Sequence, residues 1–130
     1  REQILPATFR DTDLDIVRQF NVLLEKHFRR LHQVQDYAGL LHRSPKTLTN
    51  LFALYTEKSP LQMIHDRVCL EARRLLLYTD KPVREIAAHL GYDEVAHFSR
   101  LFKNRMGIAP ADWRKLPGEP GGEMSGEIGK

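Results

Sequence analysis

The chain has one cysteine, no apolar run long enough to cross a membrane and little excess of either charge. Each shortage excludes a class of protein. A lone Cys69 cannot close an intramolecular disulfide and suits a reducing compartment, so the expected localisation is cytoplasmic. About eighteen consecutive apolar residues would be needed for a membrane span, and neither such a run nor a secretory signal pattern is present. Glycine-rich phosphate loops, paired carboxylates framing a cleft and nucleophile–base–acid patterns are also missing. No enzyme and no cofactor are therefore expected. His65 and Cys69, four apart at helical spacing, are a possible start of a metal site, but no third or fourth ligand follows at a suitable distance. The chain opens on Arg1 rather than Met, and is expected to be a piece of something longer.

The small charge that exists is unevenly placed. The net value is +3 over 130 residues. Between His32 and Lys115 there are thirteen Lys or Arg against nine Asp or Glu, whereas from Leu116 onward three Glu face one Lys. Such a body is compatible with binding phosphates without demanding it. A chain of this length can bury one modest core or two small ones.

Two small cores are what the pattern favours, because one motif is written twice. VQDYAGLLHRSPKTLTNLFALYTEKSP ends at Pro60, and VREIAAHLGYDEVAHFSRLFKNRMGIAP ends at Pro110. Leu51-Phe52 precedes Leu101-Phe102 by fifty residues, while Ala38 precedes Ala87 by forty-nine. The second copy thus has one extra residue in its turn. Tyr37, Ala38 and Leu41 lie at helical spacing, as do Ile86, Ala87 and Leu90, and a small alanine lets a second helix cross closely. A break follows at His42-Arg43 and at Gly91-Tyr92. Gly91 can take the left-handed conformation of a tight turn, and His42 takes it less readily. Ser44 can cap the next helix with Pro45 at its first position, and Asp93 can cap its counterpart. Leu48, Leu51 and Phe52 point inward in one copy, and Phe98, Leu101 and Phe102 in the other. Each copy reads as a helix-turn-helix.

The other segments arrange themselves around these copies. A long amphipathic helix is expected from about Thr12 to Arg30, capped by Thr12 or Asp13, with Leu14, Val17, Leu24, Phe28 and Leu31 as its apolar face. Such a stripe should pack on the first helix-turn-helix or on a partner chain. Ser59-Pro60 starts a further helix that runs to about Tyr78 as a stiff spacer. A short last helix from Pro110 buries Trp113. The domain reading is residues 1–31 as an N-terminal helix, 32–60 as the first motif, 61–79 as the linker helix, 80–115 as the second motif, and 116–130 as a disordered Gly-, Pro- and Glu-rich tail. The fold class is all-α: two helix-turn-helix subdomains joined by a long linker helix and preceded by an extra N-terminal helix.

From about Val34 to Arg114 the chain resembles the DNA-binding region of the AraC/XylS-type bacterial transcription regulators. The resemblance rests on the linker stretch Arg67 to Leu76. It rests above all on Ile86-Ala87, Gly91-Tyr92, Phe98-Ser99-Arg100, Phe102-Lys103, Gly107, Pro110 and Trp113-Arg114. It implies seven helices, two reading helices in successive major grooves about one duplex turn, roughly 34 Å, apart, and control of transcription. In many members an effector-binding or dimerising domain precedes this region, and the N-terminal helix would be the connection to it. Two departures stand out. Glu57 occupies a place where glycine is usual, and Leu54 and Tyr55 stand where charged residues are common. Either the first reading helix binds DNA weakly, or these two residues pack against another domain or simply in the core, which is the preferred alternative. Arg67 fits a structural ion pair better than a DNA contact.

The outward residues carry the expected chemistry. In the first reading helix they are Lys46, Thr47, Thr49, Asn50 and Ala53; in the second, Val95, Ala96, His97, Ser99, Arg100 and Lys103. Asn50 suits adenine, Lys46 guanine or a phosphate, and Arg100 the two acceptors of guanine. Lys103, Asn104 and Arg105 suit phosphates, which position without specifying. Each can also be read as part of a solvated helix face. The expected partners are double-stranded DNA, RNA polymerase, a small-molecule effector acting through a domain outside this chain, and a second copy of the chain; no membrane. Two alternatives remain: a helical protein-interaction module that kept the fold and lost DNA reading, and the DNA-binding part of a repair or methyl-transfer protein.

Overall fold

A computed structural model describes residues 7–116, and among them every regular element is a helix. In order these are α1 (Ala7–His27), α2 (Val34–Leu40), α3 (Pro45–Tyr55), α4 (Pro60–Tyr78), α5 (Val83–His89), α6 (Val95–Met106) and α7 (Pro110–Lys115). The chain divides into two compact units, the first closing at Arg67 and the second opening at Val68. The disorder expected for 116–130 falls, from residue 117 on, outside the described residues.

In the first unit α1 packs on α2 and α3. Its buried row is Ile16, Phe20 and Leu24, extended by Phe28 just past its end. Residues four apart on a helix are about 40° out of line, so this row faces one way. The stripe expected from the sequence was rotated. Leu14, Val17 and Leu31 are only half-buried, and Ile16 and Phe20 take the central places. Phe20 stands 4.9 Å from the Phe52 ring, edge to face, and 5.2 Å from the Tyr37 ring, so one aromatic of α1 closes the core of the motif. The helix also begins at Ala7, before the expected caps Thr12 and Asp13. Nothing from Ala7 to Asp13 breaks a helix, and Asp13 turns inward instead. Its carboxylate accepts a hydrogen bond from the Tyr55 hydroxyl at 3.2 Å.

Arg67 is the ion-pair partner its sequence position suggested. Its Nε and Nη2 donate to the two carboxylate oxygens of Glu25 at 2.6 and 3.2 Å, and its guanidinium lies 4.0 Å over the Phe28 ring. A flat cation thus bonds in its plane and stacks on its face at once, which lysine cannot do. α4 starts as Ser59-Pro60 predicts. Ser59 Oγ accepts from the Gln62 N–H at 3.1 Å, and Gln62 reaches back to the Ser59 N–H at 2.8 Å, a reciprocal cap.

The second unit is built on Val68, Cys69, Ala72 and Leu76 of α4 against Ile86, Ala87, Leu90, Phe98, Leu101, Phe102 and Trp113. Four rings form a chain: Tyr92, Phe98, Phe102 and Trp113, with successive centroids 5.8 to 6.2 Å apart. Cys69 is a small apolar residue in this core. The end of α4 is closed by Arg114 from α7. Its guanidinium donates to the carbonyls of Leu76 (2.9 Å), Lys81 (2.7 Å), Thr79 (3.0 Å) and Leu75 (3.4 Å). These include carbonyls that a helix end leaves without partners, and the cation also offsets the negative end of the helix dipole.

Arg114→Ala should therefore lower stability by about 2 kcal/mol, the scale of a charge-assisted bond lost from a part-buried site. Arg114→Lys should recover less than half of that, because an ammonium cannot span four carbonyls; urea unfolding followed by circular dichroism measures both. Tyr37 offers a second check. Burial pushes its phenol up to about 12 from an ordinary 10, helped by Asp36 and opposed by Arg30. The fold favours the neutral phenol, so this stabilisation is full below pH 10 and fades between pH 10 and 12. An alkaline absorbance titration should show a tyrosine ionising near pH 12 or together with unfolding, and Tyr37→Phe should remove that step.

Candidate nucleic-acid interface

Two helices can present a reading face only if the turn before each fixes its direction. In the first motif α2 closes with Leu41 at φ −94, ψ 0, and His42 follows at φ 57. In the second, α5 closes with Leu90 at φ −89, ψ 7, and Gly91 follows at φ 92. The Arg43 N–H donates to the Ala38 carbonyl at 2.9 Å, and the Tyr92 N–H donates to the Ala87 carbonyl at 2.9 Å. The His42 and Gly91 N–H groups reach Gly39 and Ala88 at 3.1 and 3.0 Å. Both turns are the same paired-bond helix ending, with one left-handed residue. His42 adopts the left-handed conformation that it takes less readily than glycine, so the first turn keeps the shape of the second and carries the strain. Ala38 and Ala87 are each 1% exposed, where each turn folds back.

The reading helices then start by different means. Ser44 caps α3, its Oγ accepting from the Thr47 N–H at 3.1 Å and donating to Thr47 Oγ1 at 2.9 Å. Asp93 does not cap α6, contrary to expectation. Glu94 holds that position, with its side chain making no capping bond. The extra residue of the second turn moves the helix start to Val95 and leaves Asp93 outside it.

Their ends differ as well. α6 stops on Gly107 at φ 91, whose N–H donates to the Lys103 carbonyl at 2.8 Å. Glu57 stands at the matching place in the first motif and takes no left-handed angle. There α3 stops on an extended Thr56, whose hydroxyl spans the Phe52 carbonyl at 2.8 Å and the Lys58 carbonyl at 2.6 Å. The unusual Glu57 is thus accommodated by moving the stop onto a threonine.

The inward residues of both helices are buried: Leu48, Leu51 and Phe52 in α3, and Phe98, Leu101 and Phe102 in α6. Lys46, Thr47, Thr49, Asn50 and Ala53 are exposed on α3; Ala96, His97, Arg100, Lys103 and Asn104 are exposed on α6. Ser99 and Arg105 are half-buried, the least open of the expected residues. Thr47 is already engaged by the cap. The His97 ring meets Tyr92 edge to face at 5.2 Å, a support that helical spacing alone could not reveal because Tyr92 lies in the turn. Leu54 does not pack in a core: it is 64% exposed, which overturns the preferred alternative for it, while Tyr55 is half-buried against α1. Among the described residues no ion-pair partner faces Lys46, Arg100 or Lys103, whereas Arg67, Arg74, Lys58 and Arg18 each hold a carboxylate at 2.6 to 3.0 Å. No group of three or more His, Cys, Asp or Glu among the described residues is placed to hold a metal ion, and no described helix is long and apolar enough to cross a membrane.

Comparison with known proteins places this geometry. A family model described as a helix-turn-helix domain matches residues 37–116. The transcriptional regulator ExsA of Pseudomonas aeruginosa is 25% identical over 112 residues, covering 86% of this chain and 40% of that protein. The C-terminal domain of AraT, a response regulator from Geobacillus stearothermophilus, is 30% identical with a TM-score of 0.71, covering 83% of this chain and 92% of that one. The DNA-binding domain of the transcriptional factor AdpA, solved with a target DNA, is 26% identical with a TM-score of 0.66, covering 75% of this chain and 87% of that one. The chain spans about a third to two fifths of the length of the curated relatives it matches.

The two turns make opposite predictions. Gly91→Ala should cost about 1–2 kcal/mol, since a Cβ is strained at that angle. His42→Gly should stabilise by about 0.5–1 kcal/mol, because relief of the left-handed penalty outweighs glycine's entropy. Thermal melts of both variants decide; destabilisation by His42→Gly would mean the imidazole has a structural task in the turn.

Proposed function

Because the chain belongs to the AraC/XylS-type helix-turn-helix family, whose DNA-binding domain it carries, we propose that it reads duplex DNA sequence-specifically through α3 and α6. The observation that carries this reading is where exposed cations stand on the reading helices. Lys46 on α3 and Arg100 and Lys103 on α6 are exposed without an ion-pair partner among the described residues, whereas Lys58, Arg67, Arg74 and Arg114 are tied to carboxylates or carbonyls. A cation left unneutralised can displace the counterions of a phosphate backbone, which is the main source of affinity for DNA. Each unit offers one reading helix to a major groove.

The roles divide by chemistry. Lys46, Thr47, Thr49 and Asn50 on α3, and Ala96, His97, Ser99 and Arg100 on α6, face base edges; Lys103, Asn104 and Arg105 face the backbone. Ala96 offers only apolar contact, for example to a thymine methyl. The wider reading adds cytoplasmic control of transcription, contact with RNA polymerase, an effector-binding domain joined through α1, and pairing with a second copy. The length of the curated relatives beyond the matched part supports that reading. A protein-interaction module is the competing reading, favoured by the exposed Leu54 and the few charges of α3.

Two substitutions separate specifying from positioning. Arg100→Ala should weaken binding to the preferred site by about 1–3 kcal/mol and leave random duplex much less affected. Lys103→Ala should weaken all duplexes alike and flatten the salt dependence by about one unit of slope. Fluorescence anisotropy across a salt series measures both. Equal, sequence-independent losses would show that Arg100 only positions, and absence of duplex binding at low salt would favour the interaction module.

A further inference from the structure

The two reading helices can be overlaid residue for residue at a spacing of fifty, and their inward sides agree. Leu48, Leu51 and Phe52 match Phe98, Leu101 and Phe102, all buried. The turns that launch them share their hydrogen bonds to within about 0.1 Å. Each helix is therefore rotated in the same way within its own unit, and matching outward positions should meet matching places in their respective grooves. Asn50 and Arg100 are such a pair. Both are the sixth residue of their helix, and both are exposed.

Their surroundings differ as sharply as the residues themselves. On the face around Asn50 lie Lys46 one turn before and Ala53 and Leu54 one turn after. The cation is at the leading end, and the two residues one turn after Asn50 are uncharged and apolar. On the face around Arg100 lie Ala96 one turn before and Lys103 and Asn104 one turn after, so there the cations occupy the body and the leading end has none. Leu54, 64% exposed, would shed water next to Asn50 once a groove covers it, and hydrogen bonds strengthen where water is excluded. A side-chain amide forms paired bonds with adenine N6 and N7; a guanidinium does so with guanine O6 and N7.

We propose that Asn50 and Arg100 form one specificity-determining pair that makes the two units prefer different bases at the same place in their half-sites, adenine under the first unit and guanine under the second. This rests on α3 and α6 being the helices that face DNA. Leu54, on this account, is part of the reading surface that shields Asn50.

The test is an exchange. The chain, Asn50→Arg and Arg100→Asn are each used to select binding sites from a random duplex pool, and the selected duplexes are then titrated with salt. Asn50→Arg should change an adenine to a guanine in one half-site only, by about tenfold in preference, and should steepen the salt slope by about one. Arg100→Asn should do the reverse in the other half-site. Asn50→Gln, which keeps the amide, should retain adenine. Both positions are exposed, so circular dichroism should show unchanged helix content. Unchanged preferences after exchange, or the same change in both half-sites, would overturn the pairing while leaving DNA binding intact. Failure of the unaltered chain to enrich any duplex would instead remove the reading on which the pairing rests.

Discussion

A single backbone hydrogen bond, made twice, governs most of what this chain can do. The Arg43 and Tyr92 N–H groups each reach back to an alanine carbonyl at 2.9 Å. To do so, the chain must place one residue in the left-handed region, at His42 and at Gly91. That geometry fixes the angle between the supporting helix and the reading helix. It also forces the alanine side chain against the crossing, where a larger residue would have no room. Move this bond, and the buried row and the outward row of the reading helix both rotate out of place. The core and the reading face are therefore two consequences of one turn.

Around that fixed turn, the two motifs reach the same form by different local chemistry. One reading helix begins with a hydroxyl cap from Ser44; the other begins at Glu94 without a side-chain cap. One ends on a glycine, the other on a threonine hydroxyl that spans two carbonyls. The supports differ too. The first motif is closed by Phe20 from α1 and by the Arg67–Glu25 pair stacked on Phe28; the second is closed by Trp113 and by Arg114 on the end of α4. Helix ends and outer layers can be satisfied in several ways because each needs only some donor or acceptor in reach. The turn itself admits few solutions.

This difference explains what could be read in the sequence. Local rules found the repeat, the turns, the Ser44 and Ser59 caps, the span of α4 and the inward triplets, because each depends on neighbours within a few residues. One error is local: the extra residue of the second turn leaves Asp93 outside α6 and puts Glu94 at its start. The others lie where distant contacts decide. Asp13 looked like a cap and is instead a buried partner of Tyr55, forty-two residues away. The face of α1 was misjudged by part of a turn because Leu14 and Val17 are as apolar as Ile16, and only the waiting rings of Tyr37 and Phe52 select Phe20. Arg114 gave a family-like ending but no hint that it closes a helix some thirty-eight residues earlier. For the candidate interface, spacing identified the exposed rows. It could not show that Thr47 is held by Ser44 or that His97 leans on Tyr92.

The separation of inward and outward rows also bears on how such a domain can change. The buried row of each reading helix is constrained by packing, where one methylene more or less is felt. The outward row contributes little to the fold: Lys46, Asn50, Arg100 and Lys103 are exposed and make no hydrogen bonds that the helices need. Substitutions there change what the surface can recognise at a small cost in stability, since surface changes away from caps and cores usually stay within about 0.5 kcal/mol. The exception is the cap itself. Ser44 orders Thr47 while starting α3, so in the first motif one exposed position is tied to helix stability. In the second motif no cap side chain engages the outward row, and recognition there can drift without loosening the start of the helix. The repeat thus holds one module whose reading surface is partly pinned and one whose surface is freer, on the same buried frame.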